Sequence, residues 1–375
     1  MRIKPPLIPS RAGSMERASP KRGSNPRLPL LVLVALVALV AFAVASPGVT
    51  AGPKQKASTR ATEVTLLAQG LGATVGGTIG PDGALYVAES VLGQVKRIDP
   101  SNGRVTTVAS GLPPRVIPIG GAIDVAFVGK TMYVLVTLVG PDVGGTSVNG
   151  VYRRNRSGGF TVFADLGKWS IDHPPATPFD QPSGLQFALQ PVANGFLVTD
   201  GHHNRVLHVS SSGAVTQRIQ FENVVPTGLA VAHGTVFMSQ AGPVPHDPAT
   251  GKVVSFPLNA RRPHAHEIAS GYSLLVDVES DPDGALYALS QGDSPGDVTP
   301  GSPAQPDSGR LLLVNRNGSF SVLVDKLDLP TSLDFVGGSR GGNRIHGCHS
   351  KKTSYTALVT TLNGEVWKIT HVSKH

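Results

Sequence analysis

Two aspartates sit in near-identical surroundings far apart in the chain, Asp124 in AIDVAF and Asp277 in LVDVES. Facing one another, two such groups would bind a divalent cation or share a proton. Asp334 (SLDF) lies within one or two positions of the matching place in a third segment. Glu89-Ser90, Asp200, His202-His203 and Gln240 follow apolar runs of similar length. Asp124, Asp277 and Asp200 form the metal-ligand trio to test, with calcium as the oxygen-seeking cation they would suit. The plainer reading is that each carboxylate accepts backbone N–H bonds within its own repeat, and that the His pair makes structural hydrogen bonds. His346-Gly-Cys348-His349 offers soft ligands without a fourth at fixed spacing. There is no G-x-S-x-G elbow, phosphate-binding G-x-x-x-x-G-K-[ST] loop or G-x-G-x-x-G. DPSNGR (99–104) and DPATGK (247–252) read as hairpin turns.

The elements that must position these groups repeat. PDGALYVAE at 81–89 returns as PDGALYALS at 282–290. In both, Asp-Gly marks a hairpin turn and the alternation after it has the two-residue period of a strand. A second phrase of strand, Gly turn and strand follows each copy. The two-phrase unit can be placed six times, near Gly76, Asp124, Gly184, Gly228, Asp277 and Asp334. No segment sustains a helical apolar period. Units of this length with four short strands predict an all-β, six-bladed β-propeller. The last unit stops after GEVWKIT and lacks its outer strand, whereas EVTLLAQGL (63–71) resembles the outer strands elsewhere. The N-terminal strand is therefore expected to close the last blade and remove an open edge. Asp124 and Asp277 then belong to opposite blades and face each other at the channel mouth. Loops at 166–181, 241–250, 290–308 and 337–354 carry the variation between units.

The chain has 375 residues with 15% charged and 40% apolar, which excludes wholesale disorder. Gly and Pro (44 and 31) argue against a helical bundle, and one Cys excludes a disulfide framework. Of the net charge of +8, residues 1–27 carry +6, leaving +2 for the body. That excludes a nucleic-acid footprint. The basic stretch, the apolar run 28–45 and Ala43-Val44-Ala45 read as a signal peptide over 1–45, with an uncleaved membrane anchor as the alternative. Residues 46–61 read as a linker, and 62–372 as the propeller with an insertion at 337–355. The expected location is secreted or extracytoplasmic, with no other membrane attachment, and the expected state is a monomer.

FLVTDGHHNRVLHV (196–209) resembles the NHL repeat. The run from Thr62 to Thr370 resembles the ScyD/ScyE family of exported propellers. The likeness is carried by AQGL, PDGALYVAE, QPSGL followed by VTD, VPTGLAV, LLVDVES-DPDGALY and LPTSLDF…TALVTTLNGEVWKI. It implies a six-bladed fold and an accessory role in secondary-metabolite handling, without a settled reaction. Six-bladed lactonases of the gluconolactonase type bind calcium at the channel face through Glu, Asn and Asp, and Glu89, Asp124, Asp200 and Asp277 are the acids here that could answer to them, although the lactonase motifs are absent. Family members have an uninterrupted last blade, unlike 337–355 here. Three functions follow as expectations. One is a scaffold binding a small molecule or an extracytoplasmic protein at the channel face, with Asp124, Asp277, Asp334, Asp200, His202 and Glu89 as candidate ligands. Another is a metal-assisted hydrolase or lyase. The last is a structural surface module using the 166–181 and 290–308 loops.

Overall fold

The Asp-Gly phrases fold as their sequence dictates. Gly83 and Gly284 take φ of +78° and +83°, which costs glycine little. Gly83 N–H donates to the Gly80 carbonyl and Gly284 N–H to that of Asp281. A strand follows each turn.

In the computed structural model, the described residues are 62–177, 179, 181–244, 250–296, 302–336 and 355–372. The leader and linker expected over 1–61, DPATGK in part, the HGCH group and most of the 337–355 insertion lie outside them. No helix among the described residues is long and apolar enough to cross a membrane.

The chain enters as β1 (Glu63–Ala68) and then builds blade 1 from β2 (Thr74–Ile79), β3 (Leu85–Glu89), β4 (Gln94–Ile98) and β5 (Val105–Ser110). Blade 2 is β6 (Gly121–Val128), β7 (Thr131–Thr137), β8 (Gly150–Arg154) and β9 (Phe160–Asp165). After helix α1 (Leu166–Asp172), blade 3 is β10 (Gln186–Val192), β11 (Gly195–Asp200), β12 (Arg205–Ser210) and β13 (Val215–Gln220). Blade 4 is β14 (Pro226–Ala232), β15 (Thr235–Gln240), β16 (Gly251–Pro257) and β17 (His266–Tyr272). Blade 5 is β18 (Leu275–Ser280), β19 (Leu286–Ser290), β20 (Gly309–Val314) and β21 (Phe320–Leu327). Blade 6 is β22 (Pro330–Val336), β23 (Tyr355–Thr361) and β24 (Val366–Val372).

Each blade is a four-stranded antiparallel sheet in sequential order, and β1 supplies the outer strand of blade 6. Glu63 pairs with Thr370 and Leu66 with Trp367. The ring therefore closes as expected, six blades with the N-terminal strand in the last.

Six hydrophobic clusters hold the blades together, one at each interface between neighbours. A strand inside a blade packs on a neighbouring blade with both faces. This is why β7 (TMYVLVT) and β20 (GRLLLV) are nearly continuously apolar instead of alternating. Helix α1 was not expected, since seven residues are too few to display a period. It is capped by Asp165, whose side chain accepts from Lys168 N–H.

The DPSNGR segment is a hairpin turn. Gly103 N–H donates to the Asp99 carbonyl and Ser101 satisfies the Asp99 carboxylate. Gly103 has φ +72°, and a Cβ there would lie 1.9 Å from the Leu67 carbonyl oxygen of β1. Gly103→Ala is thus expected to cost about 1–3 kcal/mol, read as a lowered denaturant midpoint. An unchanged midpoint would mean that the turn and β1 separate freely.

Candidate functional site

The innermost strands, β2, β6, β10, β14, β18 and β22, line the central channel, and all six contain a register irregularity in their first half. Such bulges re-aim side chains. In β6 and β18 the irregularity ends at Asp124 and Asp277.

Both aspartates then make the same pair of bonds. Asp124 Oδ1 accepts from its own neighbour Val125 N–H at 2.8 Å, and Oδ2 from Leu189 N–H of blade 3 at 2.7 Å. Asp277 Oδ1 accepts from Val278 N–H at 2.9 Å, and Oδ2 from Leu333 N–H of blade 6 at 2.7 Å. On the other side of each lies a glycine of the preceding blade. A Cβ on Gly76 would fall 2.4 Å from Asp124 Oδ1, and one on Gly228 2.3 Å from Asp277 Oδ1. The pattern Gly–Asp–Leu over blades 1–3 repeats over blades 4–6. Each aspartate thus satisfies its own strand, as the plainer reading expected, and also ties down the next blade.

These carboxyls lie inside the channel and not at its mouth. Asp277 is the third residue of its strand, Asp124 the fourth and Asp334 the fifth. Gly184 precedes β10 and abuts Asp200, so the third blade has no glycine at the matching place. Glu279, which the sequence reading passed over, is a fourth channel acid. It follows Asp277 by two positions, the spacing that puts side chains on one face of a strand.

The cavity inside the channel measures about 220 Å³, and Asp124, Asp277 and Glu279 are in its wall. Asp334 Oδ2 sits against Gly77 of the same wall. No Lys, Arg or His is among the described residues lining it. Burial is the main force on all four acids, disfavouring their charged forms. It raises Asp277 to about 8, against its backbone bonds, with help from the charge on Asp334. Asp334 rises to about 7 despite its Ser332 hydrogen bond. Asp124 and Glu279 are raised well above the ordinary carboxylate range, again by burial first and then by the other channel acids. Near neutral pH the cavity is therefore rich in protonated carboxyls that both donate and accept hydrogen bonds.

The remaining candidates are elsewhere. Asp200, Glu89 and Gln240 end the second strands of their blades, with Thr137, Ser290 and Thr361 in the same role, and all six are buried. Asp200 is committed. Its Oδ1 accepts from Leu185 N–H, and its Oδ2 lies 3.0 Å from Arg205 Nε and 3.2 Å from His203 Nδ1. Burial acts to raise this carboxyl, but the Arg205 guanidinium beside it holds it below its ordinary value. Arg205 is itself only 1% exposed and spends its other donors on the His173 carbonyl, Ser170 Oγ and His203 Nδ1. A guanidinium only donates, so His203 accepts at Nδ1 and carries its proton on Nε2, which reaches the Gln181 carbonyl. The His203 side is structural. His202 is half-buried in the adjoining turn and does not line the cavity.

Asp200 is thus not joined to Asp124 and Asp277. Among the described residues no three His, Cys, Asp or Glu side chains group to hold a metal ion. Of the expected calcium trio, one member, Asp200, is already neutralised by a buried arginine. Glu89 accepts from Val91 and Leu92 N–H with Oε1, while its buried Oε2 has no partner. One free oxygen does not make a calcium site.

The fold is similar to solved enzymes. A gluconolactonase from Xanthomonas campestris superposes with a TM-score of 0.55 at 12% identity, covering 82% of this chain and 89% of that one. A luciferin-regenerating enzyme gives 0.54 at 10% identity, covering 84% and 97%. A putative gluconolactonase gives 0.51 at 14% identity, covering 84% and 93%. At such identities the likeness establishes the six-bladed architecture alone. No family model and no curated protein sequence matches the chain.

Proposed function

We propose that the protein is a binding scaffold for a small, hydrogen-bonding molecule held in the channel. The observation that carries this is the 220 Å³ cavity walled by protonatable carboxyls, with no basic residue among the described ones that line it. Its volume is about half as much again as the roughly 150 Å³ cavity that holds a benzene molecule. The walls suit neutral polyols, amides or amines and disfavour anions, which would meet the acids as they ionise. Consistent with the ScyD/ScyE resemblance, the proposal includes export through the N-terminal leader, action as a monomer outside the cytoplasm, and an accessory role in secondary-metabolite handling.

The test is a melting-temperature screen of the propeller with neutral, cationic and anionic fragments of matching size. A ligand at 100 times its Kd stabilises by about 2.7 kcal/mol. The expected result is a rise with neutral or cationic fragments that Asp277→Leu abolishes. No rise with any fragment would overturn the proposal.

A lactonase-like hydrolase is the second reading, favoured by the superposition on gluconolactonase folds. It expects turnover of lactones or cyclic esters by the purified protein. Binding without turnover across such a panel would exclude it.

A further inference from the structure

We infer that the channel is used from one face only, the face where the innermost strands end, and that Phe187 is its blind end. This rests on reading the channel cavity as the ligand site. Along each innermost strand, burial runs in one direction. The first residues, Thr74, Gly121, Gln186, Pro226, Leu275 and Pro330, are all buried. The last residues, Ile79, Val128, Val192, Ala232, Ser280 and Val336, are all half-buried or exposed.

The starting face is also stitched across the blades. Thr137 Oγ1 meets Gln186 Oε1 at 2.9 Å, joining blades 2 and 3. Thr199 donates to the Thr227 carbonyl, and Thr227 to that of Leu275, carrying the stitch to blades 4 and 5. Thr331 donates to the Thr74 carbonyl, and Thr74 to that of Thr361, joining blades 6 and 1. These buried bonds fasten neighbouring blades to one another around the rim of the starting face.

Beneath that belt sits Phe187, the second residue of β10. Its ring packs on the clusters between blades 2 and 3, between blades 3 and 4, and also on the cluster between blades 5 and 6. A blade 3 side chain reaches the last of these only by crossing the channel. Phe187 also lines the cavity, whose wall continues to Thr78, Gln190 and Glu279 near the open end. A ligand therefore advances from Thr78 and Gln190 past the acids until Phe187 stops it. Phe187 sets the length that fits, and the polar group of the ligand lies on the side away from the ring.

Cysteine accessibility tests this without a ligand. Ser332→Cys puts a thiol in the cavity wall, and Cys348→Ser removes the chain's only native thiol. The expected result is modification by a small methanethiosulfonate that slows at least tenfold when Gln190→Trp narrows the open end. Phe187→Ala should leave that block in place, while admitting a benzyl reagent that the parent thiol reacts with at least tenfold more slowly. Leu229→Cys serves as a second thiol should Ser332→Cys not fold. The inference is overturned if Gln190→Trp leaves the rate within twofold, if Phe187→Ala restores labelling through the starting face, or if neither folded thiol reacts. Labelling as expected with no fragment ever raising the melting temperature would instead sink the binding proposal and leave the one-sided channel standing.

Discussion

Arg205→Ala is expected to lower the stability of the propeller by about 3–5 kcal/mol, the range for removing one partner of a buried ion pair. Among the described residues the guanidinium is the only cation touching Asp200, a carboxylate with no solvent exposure. Its loss strands that charge and at the same time takes a donor away from Ser170 Oγ and from the His173 carbonyl. It also removes the cation that lies 4.9 Å from the centre of the Trp169 ring. Because Ser170 and Trp169 belong to α1, and His173 caps it, the effect has a place as well as a size. Amide exchange should rise first across Leu166–His173. Arg205→Lys should recover only part of the loss, since an ammonium cannot reproduce the fork that serves four acceptors. The double variant Asp200→Leu/Arg205→Met should lose less than the two single changes added together, because no unpaired charge is left. Urea midpoints for Arg205→Ala, Arg205→Lys, the double variant and its two single changes decide it. An Arg205→Ala midpoint within error of the parent would mean that water reaches Asp200 and that α1 is not held by this side chain.

The architecture was legible because it is written in repeated local chemistry. The two PDGALY phrases each specify a turn and a strand, and the truncated last unit with its spare N-terminal strand specifies closure. The acids were legible as residue types but not in depth. Asp124 and Asp277 are aimed by irregularities in the innermost strands, and a bulge has no sequence signature when the residues around it are Ala, Ile and Val. Asp200 looked like a ligand because its partner, Arg205, reads from the sequence as one more polar residue of a NHL-like turn. Its buried fork depends on α1 folding over it. Glu279 could have been found from its two-residue spacing to Asp277. Phe187 could not, since its role comes from crossing a channel whose far wall lies two and three blades away along the chain.

The protein is expected to lose stability as pH rises from about 4 to about 8, contrary to the usual behaviour of an acid-sensitive globular domain. The sign follows from the channel. In the unfolded chain its carboxyls titrate near 4, whereas folded Asp277 and Asp334 titrate at about 8 and about 7. Between these values the folded state holds more protons than the unfolded one. Each such proton makes the unfolding free energy fall by about 1.4 kcal/mol per pH unit. The stability is complete below the unfolded value and is lost as pH climbs through the folded values. Asp200 acts in the opposite direction: its lowered value gives stability that is present above about 4 and lost in stronger acid. The most stable condition should therefore lie at mildly acidic pH, with Arg205–Asp200 setting the acid limb and the channel acids the alkaline one. Asp277→Asn removes one titration from the alkaline limb. Its Nδ2 cannot accept the Val278 or Leu333 N–H that an aspartate oxygen accepts. The variant should then be the less stable protein at pH 5 and close much of the gap at pH 8.5. Melting temperatures of parent and variant across this range provide the check. A parent melting temperature that climbs steadily from pH 5 to pH 8 would require a cation or an open water column in the channel to hold these acids ionised.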